Sequence, residues 1–122
     1  MARKGAQRFE DLVAWQRARC LTNRIYQLTQ ASAFSRDFAL QTQVRRASVS
    51  VMANIAEGFG RRTHRDFANF LNVAMGSCME VRSHLYIAID IGYVTELEGN
   101  EAIQLAEEVC RVIGALRASL NT

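Results

Sequence analysis

The sequence contains no proline, a single lysine and only seven glycines in 122 residues. With so few turn-makers a many-stranded fold is disfavoured and nothing interrupts long helices, so an all-α chain is the first expectation. Long apolar runs are missing too: none approaches the ~20 residues that a membrane span requires. The stretch Met1 to Arg8 is basic and polar with no apolar segment behind it, which argues against a secretory leader. Cys20, Cys78 and Cys110 are odd in number and far apart, with no Cys-x-x-Cys pair, so neither a disulfide framework nor a zinc cluster is expected. A reducing cytoplasm fits this usage, and the cysteines fall mainly on apolar stripes, where burial would leave them inert.

What is present is the composition of a globular protein, 49% apolar and 22% charged, at a length that suits one domain over residues 1–122. The net charge of +3 hides a polarity: residues 1–65 carry twelve basic and four acidic side chains (+8), and residues 66–122 carry three and eight (−5). Fourteen of the fifteen cations are arginine, whose planar fork suits bidentate contact with phosphate.

Behind a basic tail of about residues 1–8, Ala14, Ala18, Leu21, Ile25 and Leu28 recur at alternating spacings of four and three, with Phe9 and Leu12 upstream. That period predicts a first helix over about 9–30. The pattern breaks over Ala31 to Asp37, where Ser35 is the candidate cap of a second helix over about 38–58 with the stripe Leu40, Val44, Ala47, Val51 and Ile55. Gly58 reads as its stop, in the left-handed position that follows many helices. Thr63-His-Arg-Asp66 reads as a capping-box variant opening a third helix over about 63–92, with Phe67, Leu71, Ala74, Cys78, Val81, Leu85 and Ala88 facing inward. Thr95-Glu-Leu-Glu98 is a second capping box. It opens a fourth helix over about 96–120, whose core stripe is either Ile103, Ala106, Cys110 and Ile113 or Val109, Val112 and Leu116, with Leu120 at the end. Short connections between these segments favour an antiparallel up-down four-helix bundle.

At 100° per residue, two of the helices carry a further low-polarity face opposite the core stripe. On the second helix it holds Arg46, Ser50, Ala53 and Glu57, with Arg45, Val49 and Ala56 beside them; on the third it holds Val73, Gly76, Glu80, Ile87 and Ile91. A soluble monomer rarely leaves such faces open, so self-association is expected.

The stretch Gln43-Val-Arg-Arg-Ala-Ser-Val-Ser-Val-Met-Ala-Asn-Ile-Ala-Glu-Gly-Phe-Gly-Arg-Arg62 resembles the signature of the bacterial 23S rRNA intervening-sequence proteins. Phe9-Glu-Asp-Leu-Val-Ala-Trp-Gln16, the run from Phe70-Leu71 to Ala74-Met-Gly-Ser77 with Glu80, and Asp90-Ile-Gly-Tyr-Val94 resemble the family too, in the expected order and over nearly the whole chain. The chain departs from the pattern in lacking the proline often found between the first two helices, and in Val51-Met52 where Ile-Pro is common. The resemblance implies a four-helix protomer that assembles as a ring, commonly a homopentamer. It extends to the accessory proteins of diversity-generating retroelements, basic pentameric barrels that bind reverse transcriptase and nucleic acid.

The strongest candidate for ligand contact is the turn Gly58-Phe-Gly-Arg-Arg-Thr-His-Arg65, where Arg61, Arg62 and Arg65 surround the N-terminus of the third helix. Free backbone N–H groups and the helix dipole favour an anion there, and arginine adds phosphate forks. The competing reading is solvated loop arginines, one of them answering Asp66. Arg3, Lys4 and Arg8 would extend the basic surface, and Arg45 invites the same phosphate reading. Arg46 shares a face with Glu57 but lies eleven residues, about 16 Å, away along the helix, too far to pair within it. Glu57 and Glu80, set among small and apolar residues, call for arginine partners from a neighbouring helix or subunit. Arg46, Glu57 and Glu80 are therefore assigned structural or inter-subunit roles. So is Asn54, whose amide at the edge of the stripe suits a register-fixing hydrogen bond. Trp15, Tyr26, Tyr86 and Tyr93 read as packing residues, and Phe59, flanked by glycines and arginines, as the one aromatic placed for a ligand.

No catalytic residue, metal site or cofactor is expected. His84 follows Glu80 by four residues, but a di-iron bundle needs Glu-x-x-His on two helices, and no phosphate-binding loop, nucleophile elbow or dinucleotide fingerprint exists. Two functions of different class remain. One is an oligomer that contacts the backbone of RNA or DNA; the other is a protein-interaction scaffold or accessory subunit whose +8 half docks an acidic partner such as a reverse transcriptase.

Overall fold

A computed structural model describes residues 5–120. A single 3-10 turn, Phe9–Asp11, leads into α1 (Val13–Thr29), a short α2 (Ser32–Arg36), α3 (Phe38–Phe59), α4 (His64–Ile91) and α5 (Glu96–Ser119). The chain is all-α, with four long helices and no strand among the described residues. Helix α1 packs against α3 and α5, and α4 packs against the same two, so the long helices form a closed square. The stripes expected on the first three helices turn inward: Ala18, Leu21 and Ile25, then Val44, Val51 and Ile55, then Leu71, Ala74, Cys78 and Val81 are all buried. On α5 the two alternative stripes merge, because Ile103, Ala106, Val109 and Ile113 are buried while Cys110, Val112 and Leu116 are only half-buried.

Several boundaries differ from those expected. The first helix does not run from residue 9, because Leu12 is extended (φ −74°, ψ 128°) and separates the 3-10 turn from α1. Ser35 is not the cap of the following long helix; it lies inside α2 and donates to the Ser32 carbonyl (2.8 Å). The cap is Asp37, which accepts from the Leu40 N–H (3.1 Å) through one carboxylate oxygen and from the Tyr93 hydroxyl (2.9 Å) through the other. Tyr93 also stacks on Phe34 at 5.2 Å, so the α2 segment is fastened to the end of α4.

Gly58 does not stop α3, which continues to Phe59, and Gly92 (φ 89°), just past α4, is the one glycine with positive φ among the described residues. What requires glycine at 58 is proximity. A Cβ there would lie 2.7 Å from Phe70 Cβ and 2.9 Å from Phe67 Cδ1, so its absence lets α3 and α4 touch where the chain reverses. Of the two capping boxes only the second is reciprocal. Thr95 N–H donates to Glu98 Oε1 and Glu98 N–H to Thr95 Oγ1, both at 3.0 Å, whereas Thr63 simply accepts from Asp66 N–H at 3.1 Å.

The outward faces of α3 and α4 stay uncovered in the protomer. Val49 on α3 and Val73, Ile87 and Ile91 on α4 are between 42% and 56% exposed. No helix among the described residues is long and apolar enough to cross a membrane.

Candidate nucleic-acid interface

The turn of residues 60–63 is held on both sides. Gly58 brings α3 onto Phe67 and Phe70, and the Thr63 hydroxyl starts α4 cleanly. At the same end of the bundle His64 Nδ1 donates to the Leu120 carbonyl (3.2 Å), clipping the beginning of α4 to the end of α5. This contact brings in a residue that the sequence offered no reason to select. Arg117, in the last turn of α5, lines one groove of about 490 Å³ together with Arg65, Ala68 and Asn69.

The three turn arginines are not equivalent. Arg61 Nη2 pairs with Glu57 Oε2 at 2.8 Å, and its guanidinium lies 4.6 Å from the centre of the Phe70 ring. The carboxylate answered here is therefore Glu57, not Asp66, and the partner of Glu57 comes from its own chain four residues on. Arg62, Arg65 and Arg117 are exposed and meet no carboxylate within 4 Å among the described residues. Free N–H groups in the first turn of α4 add partial positive charge beside them. Phe59 does not project as a free stacking ring; it is half-buried and sits edge-on to Phe67 at 6.1 Å. Of the basic tail, Arg3 and Lys4 lie outside the described residues, and Arg8 is paired with Glu10 (3.0 Å).

Arg45 is not part of this surface. It stands sixteen residues before Arg61, about 24 Å along the axis of α3. Its Nε donates to Thr29 Oγ1 (2.7 Å) and its guanidinium covers the Tyr26 ring at 4.5 Å, which ties α3 to α1. Together with Arg46, Gln41, Thr42 and Val49 it borders a separate groove of about 380 Å³. Arg46 also reaches the α3–α4 groove, which it lines with Gln43, Ala47 and Ser50 of α3 while Glu80 comes from α4, yet Arg46 and Glu80 form no ion pair within 4 Å. Glu80 instead lies 3.9 Å from His84 Nε2 on its own helix. Asn54 donates to the Ser50 carbonyl (2.8 Å) and hydroxyl (3.0 Å), and the Ser50 hydroxyl in turn meets Ser77 Oγ at 2.9 Å. The cross-helix link is thus made by the serines, with Asn54 supporting it. No group of three or more His, Cys, Asp or Glu side chains is arranged to hold a metal ion among the described residues.

A family model described as the 23S rRNA-intervening sequence protein matches residues 10–115. The chain belongs to that family. Its bundle is similar to the crystal structure of a protein with unknown function from the S23 ribosomal protein family of Bacteroides thetaiotaomicron. The TM-score is 0.80 at 23% identity, over 86% of this chain and 98% of that one. At that identity the likeness concerns the fold. Comparison with curated proteins gives no match. This intervening-sequence protein therefore shares a four-helix architecture with its relative, and its arginine groove has to be interpreted from its own residues.

Proposed function

We propose that this protein is a non-enzymatic, cytoplasmic, ring-like homo-oligomer of up-down antiparallel bundles, most simply a pentamer, that binds the phosphate backbone of RNA or DNA. The observation that carries the reading is the groove shared by Arg65 and Arg117, with Arg62 close in sequence and, among the described residues, no carboxylate paired to any of the three. The contacts of His64 with Leu120 and of Gly99 with Ile89 support the antiparallel course of α4 and α5. The exposed Val49 of α3 and Val73, Ile87 and Ile91 of α4 support self-association, and a closed ring would repeat the groove at fixed spacing, turning weak phosphate contacts into an avid site.

Fluorescence anisotropy with unrelated RNA and DNA oligomers across a salt series tests this. Log affinity should fall linearly with log salt, and Arg65→Ala with Arg117→Ala should weaken all sequences alike and flatten the slope by about one for each phosphate no longer neutralised. Arg111→Ala removes one positive charge outside the groove and should change the slope little, where each single groove variant flattens it. Absence of salt-sensitive binding at about 50 mM salt, or unchanged binding by the double variant, overturns the reading and favours a scaffold for an acidic protein partner.

A further inference from the structure

Two cysteines that stand 32 residues apart meet between α4 and α5. On the buried side of α5, Ala106 puts no bulky side chain in front of its own backbone. Cys78 is fully buried, and its thiol reaches the backbone of α5, donating to the Ala106 carbonyl at 3.1 Å. Cys110 follows Ala106 by one turn, and a helical side chain leans back over the preceding turn. Its side chain is thereby brought beside the Cys78 thiol, which already touches the Ala106 carbonyl one turn away. The ion pair of Arg82 with Glu107 (3.1 Å) flanks them, and Cys110, unlike Cys78, is only half-buried. The expectation that burial leaves these cysteines inert therefore fails for Cys110, as it does for the exposed Cys20.

The pair divides naturally into two roles. The neighbouring Cys78 thiol lowers the Cys110 thiol to about 7, assisted by the positive charge of Arg82 against the opposing effect of burial. The Cys110 sulfur beside it, together with burial, raises Cys78. Thiolate is the reactive form, so Cys110 is the group that attacks and Cys78 the group held in reserve.

We propose that Cys78 and Cys110 form a reversible oxidation site that takes a hydroperoxide as its oxidant and closes a disulfide between α4 and α5. The Cys110 thiolate attacks one peroxide oxygen, the O–O bond breaks, and the leaving oxygen takes a proton to depart as water, or as an alcohol from an organic peroxide. Cys110 is left as a sulfenic acid. The Cys78 sulfur then attacks the Cys110 sulfur, the S–O bond breaks, and the departing hydroxide takes the Cys78 proton as a second water. Two thiols are oxidised by two electrons and one peroxide is reduced. The site is independent of the arginine groove and does not rest on nucleic-acid binding.

The test uses the full chain carrying Cys20→Ser, which removes the exposed thiol that would otherwise cross-link molecules. Treatment with hydrogen peroxide, alkylation and trypsin digestion should join peptide 66–82 to peptide 83–111, with a loss of about 2 Da that dithiothreitol reverses. Both free thiols of that variant should disappear together. With Cys78→Ala added, Cys110 should stop at a sulfenic acid trapped by dimedone; with Cys110→Ser added, Cys78 should stay unmodified. Cross-linking between molecules, oxidation of Cys110 without the joined peptides, or full recovery of both thiols overturns the proposal, and the Cys20→Ser protein alone decides among these even if a core variant folds poorly.

Discussion

Replacing Gly58 with alanine sets two effects of comparable size against each other. In the interior of a helix alanine is favoured over glycine by about 0.5–1 kcal/mol, so on propensity alone the substitution should stabilise α3. Packing opposes it, because the new Cβ would sit 2.7 Å from Phe70 Cβ and 2.9 Å from Phe67 Cδ1. Phe70 Cβ is fixed to the α4 backbone and the Phe67 ring is 1% exposed, so neither can swing aside. Overpacking of this kind costs about 1–3 kcal/mol, leaving a net destabilisation of about 1–2 kcal/mol. Gly114 supplies the control, since nothing lies within 4 Å of its Cβ position and only propensity should act. Urea unfolding followed by circular dichroism, at one protomer concentration for all variants, should lower the midpoint by roughly 0.5–1 M for Gly58→Ala and raise it slightly for Gly114→Ala. A Gly58→Ala protein as stable as the wild type would refute the argument that contact between α3 and α4, and not turn geometry, requires glycine there.

Thr95→Ala removes one half of the reciprocal cap on α5 and should cost about 1 kcal/mol, read as a fall in melting temperature. The backbone N–H of Thr95 holds the Glu98 carboxyl below its ordinary range, so the contribution of Glu98 to stability is complete above the unfolded value of about 4.3. It is lost as pH falls through the lower folded value; acid titration of Glu98→Gln beside wild type should show the two curves converging at low pH, and parallel curves would contradict the assignment. Light scattering should return several times the 13.7 kDa protomer mass. Glu80→Arg, in the groove with Arg46, should reduce that mass more than Glu101→Arg on the solvated side of α5, and equal effects would remove Glu80 from the interface.

The fold was legible because the stripes of α1, α3 and α4 keep an unbroken helical period, and burial follows that period residue by residue. The sequence pattern ends α3 one residue early because glycine has two uses, and sequence alone does not distinguish a positive φ from a close approach by another helix. The cap at Asp37 was hidden behind Ser35, an equally good capping residue two positions earlier, since choosing between them needed Tyr93 from the far end of α4. The candidate site was half visible. Arg61, Arg62 and Arg65 are neighbours in sequence, but Arg117 meets Arg65 only across the fold, and the salt bridge to Glu57 that engages Arg61 depends on the conformation of the turn. Cys78 and Cys110 escaped for the same reason: each looked like a core residue on its own helix.

The contact of His64 with the Leu120 carbonyl makes the basic groove a property of the folded chain alone. Arg65 and Arg117 are separated by 52 residues, and unfolding disperses them. An anion that requires both is therefore a ligand of the native state, and its binding free energy adds to folding stability by mass action, about 2.7 kcal/mol at a hundred times its dissociation constant. Melting temperature thus becomes a gauge of occupancy at the groove, one that requires no label on the nucleic acid.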